Sequence, residues 1–261
     1  MTHIDFEHLP AIASMSPITL GEMESIRLMN RIDTKYVTTE RRLVEILQDA
    51  SAAGYRVFEI CGRRVQDYDS VYYDTPGLEM YRMHHSGRKV REKVRVRTYM
   101  TGETFLEIKH KNNRGRTKKK RTAIPSDAVM DFGRCSGAAE YLASHSWWTA
   151  PQLSPEAGTS FRRITLVNPA GTERLTIDTC LSFTNFRHGS RADLADAVII
   201  ELKQDGRASS QMKGILLEHR VFPARISKYC FAVALTEPGV SRGRFKQRIR
   251  YVEKMTNTEL I

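Results

Sequence analysis

Two short segments of alternating charged and apolar residues, joined by a turn, limit most strongly what this chain can fold into. The sequence KVRVRTYMTGETFLEIKHK spans residues 93–111, with valines at alternate positions of its first half and Leu and Ile at alternate positions of its second. Side chains on a β-strand point to opposite faces in turn, so each half has one apolar and one mostly cationic face. We therefore predict a β-hairpin. Because neighbouring like charges on one sheet face repel, the cationic face indicates a site for an anion.

The excess positive charge of the chain is concentrated around this hairpin. The 261 residues carry a formal net charge of +11, and residues 88–121 contain 14 Lys and Arg against three acidic residues. The rest of the chain has 27 of each sign. This pattern predicts a focused polyanion site and argues against a general nucleic-acid binder. Specific nucleic-acid binding is not expected, because these strands lack the run of aromatic residues that stacks on bases.

Cysteine usage and hydropathy predict a cytoplasmic protein. The four cysteines lie far apart in sequence, which argues against a zinc site and a disulfide framework and favours reduced thiols. No apolar run approaches the ~20 residues of a transmembrane helix, and residues 1–15 do not resemble a signal peptide. The basic, amphipathic segment 242–255 leaves two alternatives open. It is either an ordinary solvated helix or a contact to an anionic inner membrane face or a membrane-protein partner.

Strand-like alternation recurs along the chain, with helical spacing at intervals. The pattern predicts strands at 30–38 and 197–204, a helix over 127–148, and loops at 112–121 and 150–160. Many strands with interspersed helices indicate an α+β fold, in which an antiparallel sheet or barrel is flanked by helices. The predicted divisions are a loose lead-in (1–20), a main domain (21–238) and a basic amphipathic C-terminal tail (239–261).

Charged residues recur on one face of several predicted strands. They are Arg31, Asp33 and Lys35; Lys93, Arg95 and Arg97; Glu107, Lys109 and Lys111; Lys119 and Arg121; Arg163; and Glu201 and Lys203. For a single strand, a charged face turned to water is the simpler interpretation. The dominance of Lys and Arg over several strands favours a charged interior that binds polyphosphate. Glu107 and Glu201 would then lie beside phosphates as ligands of a divalent ion, and Asp178 would be a supporting group.

Eight short motifs occur in a fixed order over most of the chain. They are RIDTKY, YYDT, KVRVRTY, FLEIKHK, FRRITLV, LTIDTCLSF, IIELK and ISKYC, within residues 25–235. In this order they resemble the catalytic domain of the vacuolar transporter chaperone (VTC) family, one of the triphosphate tunnel metalloenzymes. The resemblance implies an eight-stranded antiparallel β-barrel tunnel that binds ATP, triphosphate or polyphosphate together with Mn²⁺ or Mg²⁺. It also implies a polymerase that moves the γ-phosphate of ATP onto a growing polyphosphate chain.

The resemblance and the charged faces together assign residues to roles. The resemblance implies that Lys35, Arg95, Arg97, Lys109, Arg163 and Lys228 are catalytic, holding phosphate oxygens and developing charge. Further substrate contacts are predicted at Arg31, Lys93, Lys111, Lys119, Arg121 and Lys203. Glu201 matches the metal-binding glutamate of the family, and Glu107 is predicted to assist it.

One departure from the wider superfamily separates the alternatives. Hydrolases of the superfamily begin with Glu-x-Glu-x-Lys, whereas this chain has Arg31, Asp33 and Lys35. Arginine in place of a metal-binding carboxylate favours the VTC-like branch over a two-metal hydrolase. Two other functions stay open at this point. One is a triphosphatase acting on inorganic triphosphate or a nucleotide, and the other is a non-catalytic module that binds polyphosphate, RNA or a phosphorylated partner.

Overall fold

The computed structural model describes residues 2–26, 31–206 and 209–260, and it contains strands and helices in alternation along the chain. The strands are β1 (Pro17–Ile18), β2 (Arg31–Thr39), β3 (Arg56–Phe58), β4 (Val65–Asp74), β5 (Arg91–Tyr99), β6 (Thr104–Lys111), β7 (Thr117–Ala123), β8 (Ser154–Val167), β9 (Glu173–Asn185), β10 (Arg191–Asp193) and β11 (Ala197–Asp205). The helices are α1 (Pro10–Ser14), α2 (Leu20–Ser25), α3 (Glu40–Ala52), α4 (Glu79–His85), α5 (Ser136–His145), α6 (Gln211–Glu218), α7 (Lys228–Thr236) and α8 (Gly243–Thr256). Asn30, at the start of the first predicted strand, lies outside the described residues.

Eight of these strands form one curled antiparallel sheet. Their order is β2-β11-β9-β8-β4-β5-β6-β7, with β1, β3 and β10 attached at the side. Within the described ranges the path ends at β2 and β7, so the curl is a half-barrel rather than a barrel closed by hydrogen bonds. The outer edge of β2 is covered in part by a later segment, since the Ala224 N–H donates to the Lys35 carbonyl at 2.7 Å. The predicted α+β class with eight antiparallel strands and flanking helices is confirmed.

The outer face of the sheet is apolar and is covered by helices. Helix α3 begins where the Thr39 hydroxyl accepts the Arg42 N–H at 3.4 Å, and its apolar residues recur at helical spacing. Leu43, Ile46 and Leu47 are fully buried in one cluster with residues of β8, β9 and β11. Burial of each such side chain contributes about 1.5–3 kcal/mol. The charged residues of the same strands are thereby left on the opposite face.

Helix α7 packs on one end of that opposite face. Tyr229 stacks on Tyr72 of β4 at 5.1 Å between ring centroids, and Lys228 lies 4.4 Å from the Phe161 ring of β8. The Ser227 hydroxyl begins the helix by accepting the Cys230 N–H at 3.3 Å. Most residues of α7 are buried, so the helix fills this end of the half-barrel and brings its N-terminus against the charged side chains.

The structure of the two terminal segments can be compared with their predictions, a loose lead-in and a basic amphipathic tail. The N-terminal residues are packed rather than loose: Phe6, Ile12 and Met15 are buried in the cluster that contains α3, and β1 pairs with β3. The lead-in prediction is therefore wrong, because its apolar residues complete a core. The C-terminal segment is an amphipathic helix, α8, that buries Phe245 and Ile249. No helix among the described residues is both long and apolar enough to cross a membrane.

The structure corrects three predictions of secondary structure, two of loops and one of a helix. The lysine-rich stretch predicted as a loop belongs from Thr117 onward to β7, where Arg121 pairs with Glu107 of β6. Strand β7 is the edge of the sheet, and its residues 118–121 are exposed. The predicted loop at 150–160 contains the start of β8 at Ser154. The helix predicted over 127–148 is confined to α5, and short 3₁₀ turns precede it.

Candidate functional site

The register of the strands places every predicted strand residue of the site on one face of the half-barrel. Lys93 is opposite Lys109, and Lys109 is opposite Lys119. At the other end of the strand order, on the same face, Lys35 of β2 is opposite Glu201 of β11. The residues of this charged face are Arg31, Lys35, Lys93, Arg95, Arg97, Glu107, Lys109, Lys111, Lys119, Arg121, Arg163, Glu201 and Lys203. Lys228 joins them from the first turn of α7.

Glu107 holds two of the predicted cations together. Its carboxylate accepts from Arg95 Nε at 2.7 Å and also contacts Lys119 Nζ. Burial alone would raise the pKa of Glu107, but Arg95, Arg97 and Lys119 outweigh it and lower the pKa to about 2. With both oxygens in ion pairs and only 1% of the residue exposed, Glu107 is not placed to bind a metal ion as the sequence predicted. Its position supports an orienting role for Arg95.

Asp178 of β9 organises a second pair of cations. It accepts from Arg163 in a bidentate arrangement, with Nε at 2.6 Å and Nη2 at 2.9 Å, and it also contacts Lys228 Nζ. Burial would raise the pKa of Asp178, but the charges of Arg163 and Lys228 lower it far below the usual range of an aspartate. Asp178 thus fixes Arg163 and Lys228 beside each other, in agreement with its interpretation as a supporting group.

Besides Lys111 and Arg121, four cations of the charged face have no carboxylate partner within the described part of the chain. Lys35 donates to the Ile226 carbonyl at 3.3 Å, Lys93 to the Ser227 hydroxyl at 2.8 Å, and Arg97 to Ser70 at 2.9 Å. Lys109 has neither a hydrogen bond nor an ion pair to any described residue. The side chain of Lys93 is only partly accessible and Arg97 is 6% exposed, so water screens these charges incompletely. This uncompensated positive charge is what the site offers to an anion.

The crowding of cations is visible in the pKa values of two lysines. Lys109 is accessible to solvent, but the surrounding residues remove part of its hydration, and together with the charge of Lys35 this lowers its pKa to about 8. Burial also lowers the pKa of Lys228 to about 8, against the opposing effect of Asp178. The pKa of Tyr72 is lowered as well, here because the neighbouring cations favour the ionised phenolate. Burial would raise its pKa, but Arg95 and the neighbouring cations bring it down to about 7.

These pKa values predict opposite effects of pH on stability and on anion affinity. Free lysine titrates near 10.4, so between about pH 8 and pH 10 the unfolded state binds more protons than the folded state. Stability of the ligand-free protein should therefore rise with pH in this window. Affinity for inorganic triphosphate should fall, by about tenfold at pH 9 for each of Lys109 and Lys228 that must be protonated to bind. Thermal unfolding and calorimetric titration between about pH 7 and pH 9 measure the two effects.

A pair of lysine variants tests this assignment. Lys109→Met should flatten the pH dependence of affinity, because the titrating charge is gone. Lys118→Met removes a lysine from the neighbouring strand whose side chain is on the opposite face, so it should leave the pH dependence unchanged. Equal pH profiles for Lys109→Met and the unsubstituted protein would contradict the role given to Lys109.

Glu201 is the carboxylate of the charged face that is best placed to hold a divalent cation. Its nearest ion-pair partner is Lys203, at 3.5 Å, and its side chain is 20% exposed. Burial would raise the pKa of Glu201, but Lys35, Lys203 and Lys109 lower it well below its usual value, so it is an anion at neutral pH. An accessible, ionised carboxylate beside a phosphate-binding surface has the hard oxygen donors that Mg²⁺ and Mn²⁺ take. The residues present therefore fit such an ion.

The remaining predicted residues lie at the periphery of the charged face. Arg31 forms an ion pair with Asp33 at 2.7 Å near the end of β2, where both side chains are accessible to solvent. Lys111 lies at the end of β6, and Arg121 on the edge strand covers the Phe105 ring at 4.6 Å. These three cations lie at strand ends or on the edge strand, around the other residues of the charged face. Their positions suit contacts to the outer parts of an extended ligand.

Sequence analysis missed Tyr72 and Ser227 as parts of this site. Tyr72 Oη accepts from Arg95 at 3.0 Å, and Ser227 orients Lys93. Tyr72 is in register with Arg95 on adjacent strands, so a correct pairing of β4 with β5 would have revealed it. Ser227 precedes α7 and meets Lys93 across 134 residues, for which the local sequence carries no signal.

Comparison with known proteins adds one family match and several distant structures. The model of the VTC domain matches residues 30–237. No curated protein matches the sequence. Among solved structures, a Hippeastrum protein described as an adenylyl cyclase with a dominant triphosphatase activity is 14% identical, with a TM-score of 0.48 over 77% of this chain and 94% of that one. The PH1819 protein of Pyrococcus horikoshii OT3 is 13% identical, with a TM-score of 0.43 over 76% and 96% of the two chains.

A third similar structure is that of the inorganic triphosphatase NE1496. It is 13% identical, with a TM-score of 0.29 over 69% of this chain and 77% of that one. The family match covers most of the chain and includes all the strands of the half-barrel, β2 to β11. The assignment of a family therefore rests on the VTC domain match.

Proposed function

The chain belongs to the VTC domain family, whose model matches residues 30–237, and on this premise we propose that it is a polyphosphate polymerase. Membership of the family indicates chemistry on polyphosphate or triphosphate. In the proposed reaction, the γ-phosphate of ATP is transferred to a growing inorganic polyphosphate chain. The observation that carries this proposal is a group of cations on a single curled face, Lys35, Lys93, Arg97 and Lys109 among them, that have no carboxylate partner among the described residues.

The arrangement of the cations suits a linear, highly charged phosphate chain. Arg95 donates a hydrogen bond to the Glu107 carboxylate, and Arg163 donates to the Asp178 carboxylate. These bonds fix the orientation of the two guanidinium planes. Planar guanidinium groups bind phosphate oxygens in forked pairs, whereas lysines supply movable point charges. Bound phosphate would offset the mutual repulsion of the unpaired lysines. Binding and charge neutralisation thus come from the same residues.

The transfer itself requires no general base. An oxygen of the terminal phosphate of the acceptor chain attacks the γ-phosphorus of ATP. A new P–O–P bond forms, the bond between the β–γ bridging oxygen and the γ-phosphorus breaks, and ADP leaves. The attacking phosphate is already ionised at neutral pH, so positioning and stabilisation of the developing negative charge are the main requirements. Arg95, Arg97 and Arg163, placed in advance around the reacting phosphates, supply that stabilisation.

The carboxylates of the site are poorly suited to act as the general base that would activate a water molecule. A base that activates water works best with a pKa near the operating pH. Glu107 has a pKa of about 2, and the pKa values of Asp178 and Glu201 lie well below their usual ranges, so all three are weak bases. Glu201 would hold Mn²⁺ or Mg²⁺, which when bound neutralises charge on phosphate oxygens. Arg31 and Asp33 form an ion pair instead of providing a second metal-binding carboxylate.

Incubation of the purified protein with ATP and Mn²⁺, followed by sizing of the products on a gel, tests the proposal. We expect polyphosphate chains and ADP in proportion to the phosphate transferred. Orthophosphate as the sole phosphate product would replace the polymerase by a triphosphatase. Tight binding of polyphosphate without any turnover of ATP would instead indicate a non-catalytic polyanion-binding module.

A further inference from the structure

A second group of potential metal ligands lies outside the charged face, where the N-terminal segment meets the sheet. The Nδ1 atom of His3 is 2.6 Å from Glu40 Oε1 at the start of α3, and Cys180 Sγ of β9 is 4.0 Å from the same oxygen. The three ligand atoms all lie within 4.8 Å of one another. Tetrahedral zinc with bonds of about 2.0–2.3 Å holds its ligand atoms roughly 3.5 Å apart. The observed separations, from 2.6 Å to at most 4.8 Å, lie on both sides of this spacing, so small shifts of the side chains would bring the three atoms to it.

The backbone of β9 is distorted at the residue that supplies the sulfur. Ser160 pairs with Ser182 and Arg162 with Thr179, so β9 contains one more residue than β8 between these two pairs. Cys180 lies in this bulge with a φ of 50°, in the left-handed region that non-glycine residues adopt only at an energetic cost. A β-bulge redirects a side chain out of the regular ladder. Here the bulge turns the thiol of Cys180 toward Glu40.

The charges around the group favour a cation. Glu40 is 2% exposed, and its carboxylate also accepts the Ile4 N–H at 2.8 Å. Asp196 is held next to it, since the Asp196 carbonyl accepts the Glu40 N–H at 2.9 Å. The Oδ1 atom of Asp196 is buried and accepts no hydrogen bond from any residue in the described ranges. Burying such an oxygen without a partner is costly, and the positive charge of a nearby cation would reduce this cost.

The nearby positive charge does not fully compensate the carboxylates of Glu40 and Asp196. Arg162 is the nearby cation, and it is shared with Asp67 at 3.6 Å. A cavity of about 360 Å³, lined in part by Ile4, Asp5 and Thr179, opens beside the group. Asp5 and Thr179 are sequence neighbours of Ile4 and Cys180, so the cavity lies next to the segments that carry the ligands.

We propose that His3, Glu40 and Cys180 bind a Zn²⁺ ion that fastens the N-terminal segment to the sheet. A nitrogen, a carboxylate oxygen and a thiolate sulfur form a donor set that zinc prefers and that Mg²⁺ or Ca²⁺ does not. The ion replaces the proton shared by His3 and Glu40, and the thiol of Cys180 loses its proton to solvent on binding. The fourth position is left for water. This site is separate from the charged face and does not depend on the proposed polymerase activity.

The wide spacing of the four cysteines with respect to each other gives no indication of a zinc site in the sequence. The ligands here come instead from three distant parts of the chain, residues 3, 40 and 180, and only one is a cysteine. Their meeting depends on the packing of the N-terminal segment, which the sequence analysis interpreted as loose. A cross-link between these three elements would hold that segment in place.

Cobalt substitution tests the site independently of activity. The full-length protein is stripped of metal with a chelator and titrated with Co²⁺, which gives a charge-transfer absorption band when it bonds a thiolate. We expect this band at about one equivalent and its displacement by Zn²⁺. Zn²⁺ at a hundredfold excess over its dissociation constant should raise the Tm by roughly 5–10 °C.

Three variants show whether the signal comes from this group. Cys180→Ser and His3→Ala should each abolish the band and the Zn²⁺-dependent rise in Tm. His3 lies near the N-terminus on an accessible segment, so its substitution keeps the test valid even if Cys180→Ser does not fold. Cys61→Ser is the matched control, because Cys61 also has a left-handed φ, of 51°, but is exposed.

The outcomes separate the proposed site from other thiols. Cys230 is buried near Lys93 and Arg91, whose charges repel a metal cation. Absence of a cobalt–thiolate band in the unsubstituted protein would overturn the proposal. A band that persists in both Cys180→Ser and His3→Ala would overturn it as well, since the thiolate would then be another one.

Discussion

Replacing Glu201 by glutamine is expected to lower the turnover of ATP by at least about 10²–10³-fold. Glutamine keeps the size of the side chain but removes the negative charge that a divalent cation requires. Affinity for polyphosphate should be retained or increased, because Lys35 and Lys203 lose an anionic neighbour. Initial rates with ATP and Mn²⁺, together with calorimetric titration of polyphosphate in the absence of metal, measure the two quantities.

The matched control for this variant is Glu140→Gln. Glu140 is an exposed carboxylate on α5, on the outer side of the sheet. Its substitution makes the same change in net charge and should leave turnover unchanged. Full activity of the Glu201→Gln protein would remove Glu201 from the metal site, whereas equal losses in both variants would indicate a general effect of charge.

The second large effect is expected for Asp178→Asn. Asparagine leaves the buried side chains of Arg163 and Lys228 without their counter-ion, and breaking a buried ion pair from one side costs about 3–5 kcal/mol. For a chain of this size we expect the Tm to fall by roughly 10 °C. Thermal and urea-induced unfolding of the two proteins in the same buffer measure the loss.

A surface ion pair provides the comparison. Asp67 lies 3.4 Å from Arg63 with about half of each side chain exposed, so Asp67→Asn should change stability by less than about 1 kcal/mol. Inorganic triphosphate should raise the Tm of Asp178→Asn more than that of the unsubstituted protein, because bound phosphate then also replaces the missing counter-ion of Arg163 and Lys228. If Asp178→Asn is as stable as Asp67→Asn, Asp178 does not carry the role assigned to it.

The parts of the site that depend on strand alternation were predictable from the sequence. The alternation of residues 93–97 with apolar valines places Lys93, Arg95 and Arg97 on one face whatever the partner strand is. The same reasoning gave Lys109 and Glu201. It also gave the apolar outer face, because the period of two separates the two sets of side chains without reference to the rest of the fold.

The parts that depend on distant pairing were not predictable. Glu107 looked like a metal ligand because its local pattern shows a carboxylate among cations. Only the pairing of β6 with both β5 and β7 reveals that Arg95 and Lys119 form ion pairs with the Glu107 carboxylate from the two neighbouring strands. Likewise, Pro155 and Gly158 suggest a loop by composition, yet they lie in β8 because β4 and β9 pair with it. A Cβ added to Gly158 would lie 3.0 Å from the Phe186 ring, so a larger residue there would require this ring to shift.

The lysine-rich edge strand β7 has a consequence for how molecules of this protein meet each other. An unpaired strand is a template for the edge of another sheet, and a row of exposed charges prevents that contact. Residues 118–121 form such a row of four cations on β7. If the protein binds polyphosphate there, neutralisation of the row would reduce this electrostatic barrier, and self-association would become more favourable.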